Sequence, residues 1–391
     1  MADFKIKTTP APEDLHYFRE KKLKPSFSYK DVWGEEHAHA FTVAKSAGFD
    51  ILEDVRSAVD DAIAKGWTFA TFRGKLEPTL RAKGWWGRRT VDDDKTGVNH
   101  VAQLGSPRRL KIIYDSNLRA ARAAGQWERA QRTKRGLPYF LYGLGPSENH
   151  RPHHESKKGL ILPVDDPFWD AWYPPNGWGC KCWLRQIGRS EAERLGGVSA
   201  PPDVGTVEFV NDRRGTTELI PLGIDPGWHT SPGKGRARGL TNRMSERLLQ
   251  EGESVARAVI AEHWRNGTAL ALARVPQRIH IPVGVSQRYQ VALGSTSRLI
   301  VVSSATVITK VKTHGHHRNL PITPERFALV QSVLDEGDAT GFDKRGGYRI
   351  WKNIDGLMFR LVLAKSADGF VYVRTFFQSG LAAYGRDKLK R

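Results

Sequence analysis

The 391-residue chain holds only two cysteines and three methionines, and its longest run of Leu, Ile and Val alone is the four residues 299–302. Two cysteines one residue apart cannot staple a chain of this length, which excludes a disulfide scaffold. A reducing compartment is expected, where close thiols more often bind metal than pair. Four aliphatic residues fall far short of the roughly 20 that a spanning helix needs, so no membrane partner is expected. The opening MADFKIKTTPAPEDLHYF lacks an apolar core segment, and a cleavable secretion signal is not expected either. Cytoplasm is the default compartment. Acidic residues are also scarce relative to basic ones, 42 against 61, for a formal net charge of +19. Such an excess suits a polyanionic partner or simply a solubilising surface. It is uneven: residues 271–391 carry 19 basic and 8 acidic side chains, net +11, against 42 and 34 in residues 1–270, net +8. The last third is therefore the part expected to face a polyanion.

A single core rarely grows past about 250–300 residues, so more than one domain is expected. Residues 12–95 read mainly as helices. Phe41, Ala44, Ile51, Val55, Ala58 and Ile63 recur at helical spacing, with a break at Gly48 and a stop at Gly66. A following helix is expected to be interrupted near Pro78 and closed by Gly84. Ser106-Pro107, a cap residue followed by proline at the first helical position, opens RRLKIIYDSNLRAARAAGQWERAQR, whose expected buried stripe is Leu110, Ile113, Ala120, Ala121, Ala124 and Trp127. Residues 136–190 are rich in Gly, Pro, His and Trp with little periodicity. Residues 196–240 read as loop and linker, and 242–266 as an amphipathic helix. From Ile279 onward RLIVVSS, YRIWKN, LMFRLVLAKS and FVYVRTFFQS read as strands around a helix TPERFALVQSVLDEG.

The irregular stretch holds NHRPHHESKKGLILPVDDPFWDAWYPPNGWGCKCW, with three of thirteen histidines, both cysteines and four of twelve tryptophans. Two thiolates on one tight loop can occupy two corners of a tetrahedron, and zinc takes four N or S ligands at a structural site. His153 and His154, with His150 also near, can complete a set with Cys180 and Cys182, and Asp165, Asp166 or Asp170 stand in reserve. One structural zinc is the expected cofactor, since bound metal also explains how such a segment stays ordered. The plain alternative is a pair of reduced, buried cysteines with histidines in ordinary hydrogen bonds. A zinc-dependent hydrolase centred on His153, His154 and Cys180 ranks last, because His153-His154-Glu155 lacks the helical spacing of a metallopeptidase.

These residues resemble the phage Mu F-like minor head proteins, the head morphogenesis family of tailed phages. The resemblance lies in Arg151, Pro152, a histidine at His153 or His154, Gly159, Asp166, Pro167, Phe168, Trp169, Pro174, Pro175, Cys180 and Cys182. It extends upstream through EEHAHAFTVAKSAGFDILEDVRSAV, FRGKLEPTLRAKGWWG and IIYDSNLRAARAAGQWERAQR, about residues 12–190. The resemblance implies a minor structural protein that acts in procapsid assembly or genome packaging near the portal. It implies portal and capsid or scaffold proteins as partners, in the host cytoplasm during assembly and then in the procapsid or virion.

In the basic C-terminal part, His314, His316 and His317 stand beside Lys310, Lys312 and Arg318, and Lys365, Arg374 and Thr375 fall on or near the last two strands. Such a set can cleave RNA without metal: one side chain takes the 2'-hydroxyl proton, another protonates the leaving oxygen, and Lys or Arg stabilises the phosphorane. The order of elements is similar to the phage-associated barnase/EndoU/colicin/RelE-like nuclease domains. By position that resemblance implies His314 as acid or base, Lys365 and Arg374 as phosphate contacts, and Thr375 as a hydrogen-bond donor, with no cofactor. Lys310, Lys312, His316, His317 and Arg318 are the accompanying nucleic-acid contacts, to an RNA substrate or packaged DNA. A purely structural chain whose C-terminal domain binds DNA or capsid is the alternative. The expected fold is multidomain: a mainly α head-morphogenesis domain over 1–195 with an irregular Cys/His loop module, a linker with an amphipathic helix over 196–270, and a small α+β domain with an antiparallel sheet over 271–391.

Overall fold

A computed structural model describes residues 10–46, 48–93, 95–274, 279–312, 323–366 and 369–388. The chain divides into two compact units, Met1–Arg236 and Ala237–Arg391.

The first unit is built on helices Pro12–Arg19, Phe49–Lys65, Phe69–Ala82 and Pro107–Thr133. Gly48 and Gly66 bound the second of these as expected, Gly66 in the left-handed conformation (φ 63°) that ends a helix without a Cβ penalty. Phe41 lies outside it, on a two-residue strand Ala40–Phe41. The third helix runs through Pro78 rather than breaking there. Ser106 caps the fourth, its hydroxyl accepting from the Arg109 amide at 3.2 Å. Leu110, Ile113, Ala121, Ala124 and Trp127 are buried on that helix as expected, while Ala120 is only half-buried.

Two expectations need correction. Residues 136–190 hold a three-stranded antiparallel sheet, Ile161–Pro163, Tyr139–Gly143 and Trp183–Ile187 in spatial order. Residues 196–270 are not one linker. A hairpin, Thr206–Asn211 with Thr216–Pro221, belongs to the first unit, where Ile220 and Ile224 pack with Trp33 and Trp172. The helical pattern beyond it is two helices, Pro232–Gln250 and Glu253–Arg265, separated at Gly252.

The second unit has one six-stranded sheet, in the order His280–Val285, Leu299–Ser303, Val371–Ser379, Leu357–Lys365, Tyr348–Ile354, Asp338–Phe342. Its sheet is mixed rather than purely antiparallel, because Leu299–Ser303 runs parallel to Val371–Ser379. Trp264 stacks on Phe327 at 4.8 Å and donates to the Pro282 carbonyl at 3.0 Å, anchoring helix Glu253–Arg265 to the core.

Candidate metal centre

The sequence places Arg151 and Pro152 at the start of a one-turn helix, Pro152–Glu155. The Arg151 guanidinium grips Asp225 with two hydrogen bonds of 2.9 and 3.0 Å, and the same carboxylate accepts the Trp178 amide at 2.7 Å. That grip fixes which way the turn faces. His154 points inward and is 3% exposed, whereas His153 is exposed and stays outside the cluster described next.

Trp183 pairs with Gly143 at the end of the sheet, so the preceding Cys180-Lys181-Cys182 loop runs beside Gly145. A Cβ on Gly145 would sit inside the Lys181 carbonyl, so glycine is what permits the approach. The result joins His154 to both thiols: its Nδ1 lies 3.8 Å from Cys180 Sγ and 3.5 Å from Cys182 Sγ. Donor atoms of the three residues all lie within 4.8 Å of one another, an arrangement able to hold a metal ion. On the far side of the ring, Nε2 lies 2.7 Å from the Gly223 carbonyl. A carbonyl only accepts, so Nε2 carries the proton and Nδ1 presents its lone pair to the thiols. The hydrogen bond from Cys182 holds Cys180 well below an ordinary thiol, against the opposing effect of burial, and the same bond raises Cys182.

The remaining residues of the stretch are architecture. Asp166 accepts the Phe168 amide at 2.9 Å, and Trp169, fully buried, donates to the Pro163 carbonyl at 2.9 Å. The reserve carboxylates are committed elsewhere: Asp165 pairs with Lys134 at 2.8 Å and Asp170 with Lys234. Sequence reasoning missed Tyr142, Gly145, Asn176 and Gly223 around the cluster. Gly145 lies in GLGP, close in sequence to the motif; Gly223 carries no local signal at all.

A second feature of this unit is a cavity of about 220 Å³, with Tyr17, Lys21, His37, Arg109, Trp178 and Trp228 among its walls and no carboxylate among them. Lys21 is 6% exposed, and its ammonium lies 4.8 Å from the Tyr17 ring centroid with no ion pair or hydrogen bond among the described residues. Burial pushes it from 10.5 down to about 7. The unfolded chain therefore binds the extra proton between these values, and stability rises as pH climbs from about 7 to about 10.5. Lys21→Met, which keeps the aliphatic stem without the charge, is expected to raise the melting temperature at neutral pH and to flatten that rise. Thermal melts of both proteins across this range check it.

In the second unit, Lys365 and Thr375 lie on neighbouring strands, Lys365 opposite Val371 and Thr375 opposite Val362. Arg374 sits where the register of that pair shifts, ion-paired with Asp343 and donating to the Arg345 carbonyl at 3.1 Å. The Lys365 ammonium donates to the Gly294 carbonyl at 3.1 Å. Lys310 is part-buried with its ammonium 5.3 Å from the Phe377 ring centroid, and Lys312 ends helix Ser304–Lys312. His314, His316, His317 and Arg318 lie outside the described residues.

Comparison with known proteins places these features. Residues 53–185 match the family described as Phage Mu protein F like protein, a range that contains all three members of the Cys/His cluster. The chain is 31% identical over 279 residues, 68% of its length, to the "Putative capsid assembly protein F" of Escherichia phage Mu, of which the match covers 63%. It is 38% identical over 160 residues, 41% of its length, to the "Mu-like prophage FluMu F protein" of Haemophilus influenzae, of which the match covers 37%. The chain thus spans less than two thirds of the length of these curated relatives. No solved structure matches it. Among the described residues no helix is long and apolar enough to cross a membrane.

Proposed function

We propose, from the match of residues 53–185 to the family described as Phage Mu protein F like protein, that the whole chain is a minor head protein of a tailed phage or prophage. It acts in capsid assembly or genome packaging near the portal, with portal and capsid or scaffold proteins as partners, first in the host cytoplasm and then in the procapsid or virion. The observation that carries this reading is the similarity to the phage Mu protein named for capsid assembly, which runs over 68% of this chain, well beyond the motif-bearing stretch. We propose separately that the first unit holds one structural zinc, on the cluster of His154, Cys180 and Cys182. In a phage carrying this chain, a stop codon early in its gene is expected to leave tails intact but heads absent, aberrant or without DNA, with rescue by the chain supplied in trans. Infectious particles at normal yield without it would overturn the reading.

For the second unit we keep the metal-independent ribonuclease as a further proposal. It is supported by Lys365, Arg374 and Thr375 falling on two neighbouring strands of a sheet with its own core, in the more basic part of the chain. The pairing of Arg374 with Asp343 means that a phosphate would have to compete with that carboxylate. RNA incubated with the full chain in a chelator is expected to be cut, and His314→Ala to abolish the cutting. An inert wild-type chain would instead favour the structural alternative, a basic unit that binds DNA or capsid without catalysis.

A further inference from the structure

We propose that His154 Nδ1, Cys180 Sγ and Cys182 Sγ are three ligands of one tetrahedral zinc-class ion whose fourth corner is a water molecule, and that this ion clamps the irregular part of the first unit. The inference deepens the zinc element of the reading above and does not depend on capsid assembly.

Distances carry the first step. A tetrahedral zinc with Zn–S of about 2.3 Å and Zn–N of about 2.0–2.1 Å separates sulfur from nitrogen by about 3.6 Å and sulfur from sulfur by about 3.8 Å. The two sulfur–nitrogen separations here are 3.5 and 3.8 Å, and the two sulfurs lie within 4.8 Å of each other, a triangle of donors near the size that such an ion takes. Chemistry carries the second. Two thiolates and an imidazole favour a borderline or soft cation over magnesium or calcium, which want oxygen.

The third step lies in what surrounds the donors. A ligating histidine commonly donates its other N–H to a carbonyl or carboxylate, which fixes tautomer and ring orientation. His154 does so to Gly223. Thiolates at metal sites need hydrogen bonds to spread their charge. Backbone N–H groups of Asn176 and Cys182 act on Cys180 and that of Gly145 on Cys182, while the Tyr142 hydroxyl donates to Asn176 Oδ1 at 3.4 Å. The surroundings of the three donors are thus drawn from separate places in the chain: Gly145, the Asn176–Cys182 loop and Gly223.

Coordination number follows from what is missing nearby. Among the described residues no fourth His, Cys, Asp or Glu joins the group, and Asp165 and Asp170 are held by lysines. A closed structural site takes four protein ligands; with three here the fourth corner falls to water, the coordination otherwise found at open zinc sites. The clamp ties the Pro152–Glu155 turn to the Cys180–Cys182 loop, and through His154 Nε2 to the Gly223 turn. Those three pieces are separated by 26 and 69 positions along the chain. Binding energy at such a site is folding energy.

The test uses the untagged full chain purified under reducing conditions. Elemental analysis is expected to find about one zinc per chain, and cobalt substitution to give thiolate-to-cobalt charge transfer with the strong d–d absorption of a tetrahedral ion. His154→Ala and the double variant Cys180→Ser/Cys182→Ser are expected to lose the metal, while His153→Ala, at an exposed neighbour, keeps it. Should the ligand variants fail to fold, cobalt titration of the chelator-stripped wild type decides alone. A wild-type chain with no bound zinc and no charge-transfer band on titration overturns the clamp and leaves capsid assembly untouched. Loss of metal in His153→Ala with retention in His154→Ala overturns the ligand set.

Discussion

Trp169→Ala is expected to destabilise the first unit by about 3–5 kcal/mol, read as a fall of very roughly 6–20 °C in its melting temperature. The side chain is fully buried in a cluster with Trp127, Phe140, Tyr142, Leu162, Tyr173 and Leu184. Its ring meets Phe140 edge-on at 5.9 Å and Phe168 at 5.2 Å, and its indole N–H satisfies the Pro163 carbonyl. Truncation therefore removes apolar contact, opens a cavity that rigid aromatic neighbours cannot fill, and strands a carbonyl. Trp178, six residues past the end of the short helix Trp169–Trp172 by way of the proline turn, is 43% exposed. Trp178→Ala is expected to cost about 1–2 kcal/mol, less than Trp169→Ala, since the half-exposed ring loses only its edge contacts with Trp228 and Tyr29 while the backbone bonds to Asp225 and Arg151 stay. Calorimetry of both variants checks the contrast. Equal effects would mean that the motif tryptophans are not the core of this unit.

That contrast bears on how the stretch is to be understood. A segment rich in His, Cys and Trp looks from its composition like an active site. In the structure Trp169 and Trp172 are fully buried packing residues while Trp178 and Trp183 are partly exposed, Arg151 and Asp166 orient turns, and one histidine and two cysteines face each other. Only those three have the chemistry of a site.

Much of this was legible in advance because it is local. Ser106 and Pro107 announce a helix start by their own chemistry, and Gly66 announces a helix end. The strands Tyr348–Ile354, Leu357–Lys365 and Val371–Ser379 are long enough to show apolar runs bounded by turns. What escaped is non-local. The strands of the three-stranded sheet in the first unit are three to five residues each, too short for a period, and they pair across proline and glycine turns. The parallel pairing of Ile300 with Val371 joins residues 71 positions apart, and no local pattern announces it. At the cluster, Cys180 and Cys182 were legible from their spacing. The choice between His153 and His154 was not, because both sit on one turn whose facing is set by Asp225 and Gly223, some 70 positions downstream.

Opposite signs are expected for two glycine-to-alanine changes on helices of the first unit. Gly125 lies on helix Pro107–Thr133 where helix Pro12–Arg19 crosses closest, and a Cβ there would run into the Asp14 carboxylate and come within 2.9 Å of the Asp14 amide nitrogen. Asp14 cannot easily step aside. It is 7% exposed, burial raises its carboxyl, and the Arg129 guanidinium holds it at 2.9 Å. Moving the helices apart would also loosen Tyr17 and Phe18, both buried against the same core. Overpacking of this kind costs about 1–3 kcal/mol, occasionally more, which exceeds the roughly 1 kcal/mol that alanine gains over glycine in a helix. Gly125→Ala should therefore lower stability. Gly74 sits on the exposed side of helix Phe69–Ala82 with nothing within 4 Å of an added Cβ. There the propensity gain is unopposed, and Gly74→Ala should raise stability by about 0.5–1 kcal/mol. Denaturant titrations of the two variants against the parent measure both signs. A stabilised Gly125→Ala would show that the two helices do not meet as closely as Asp14 and Gly125 require.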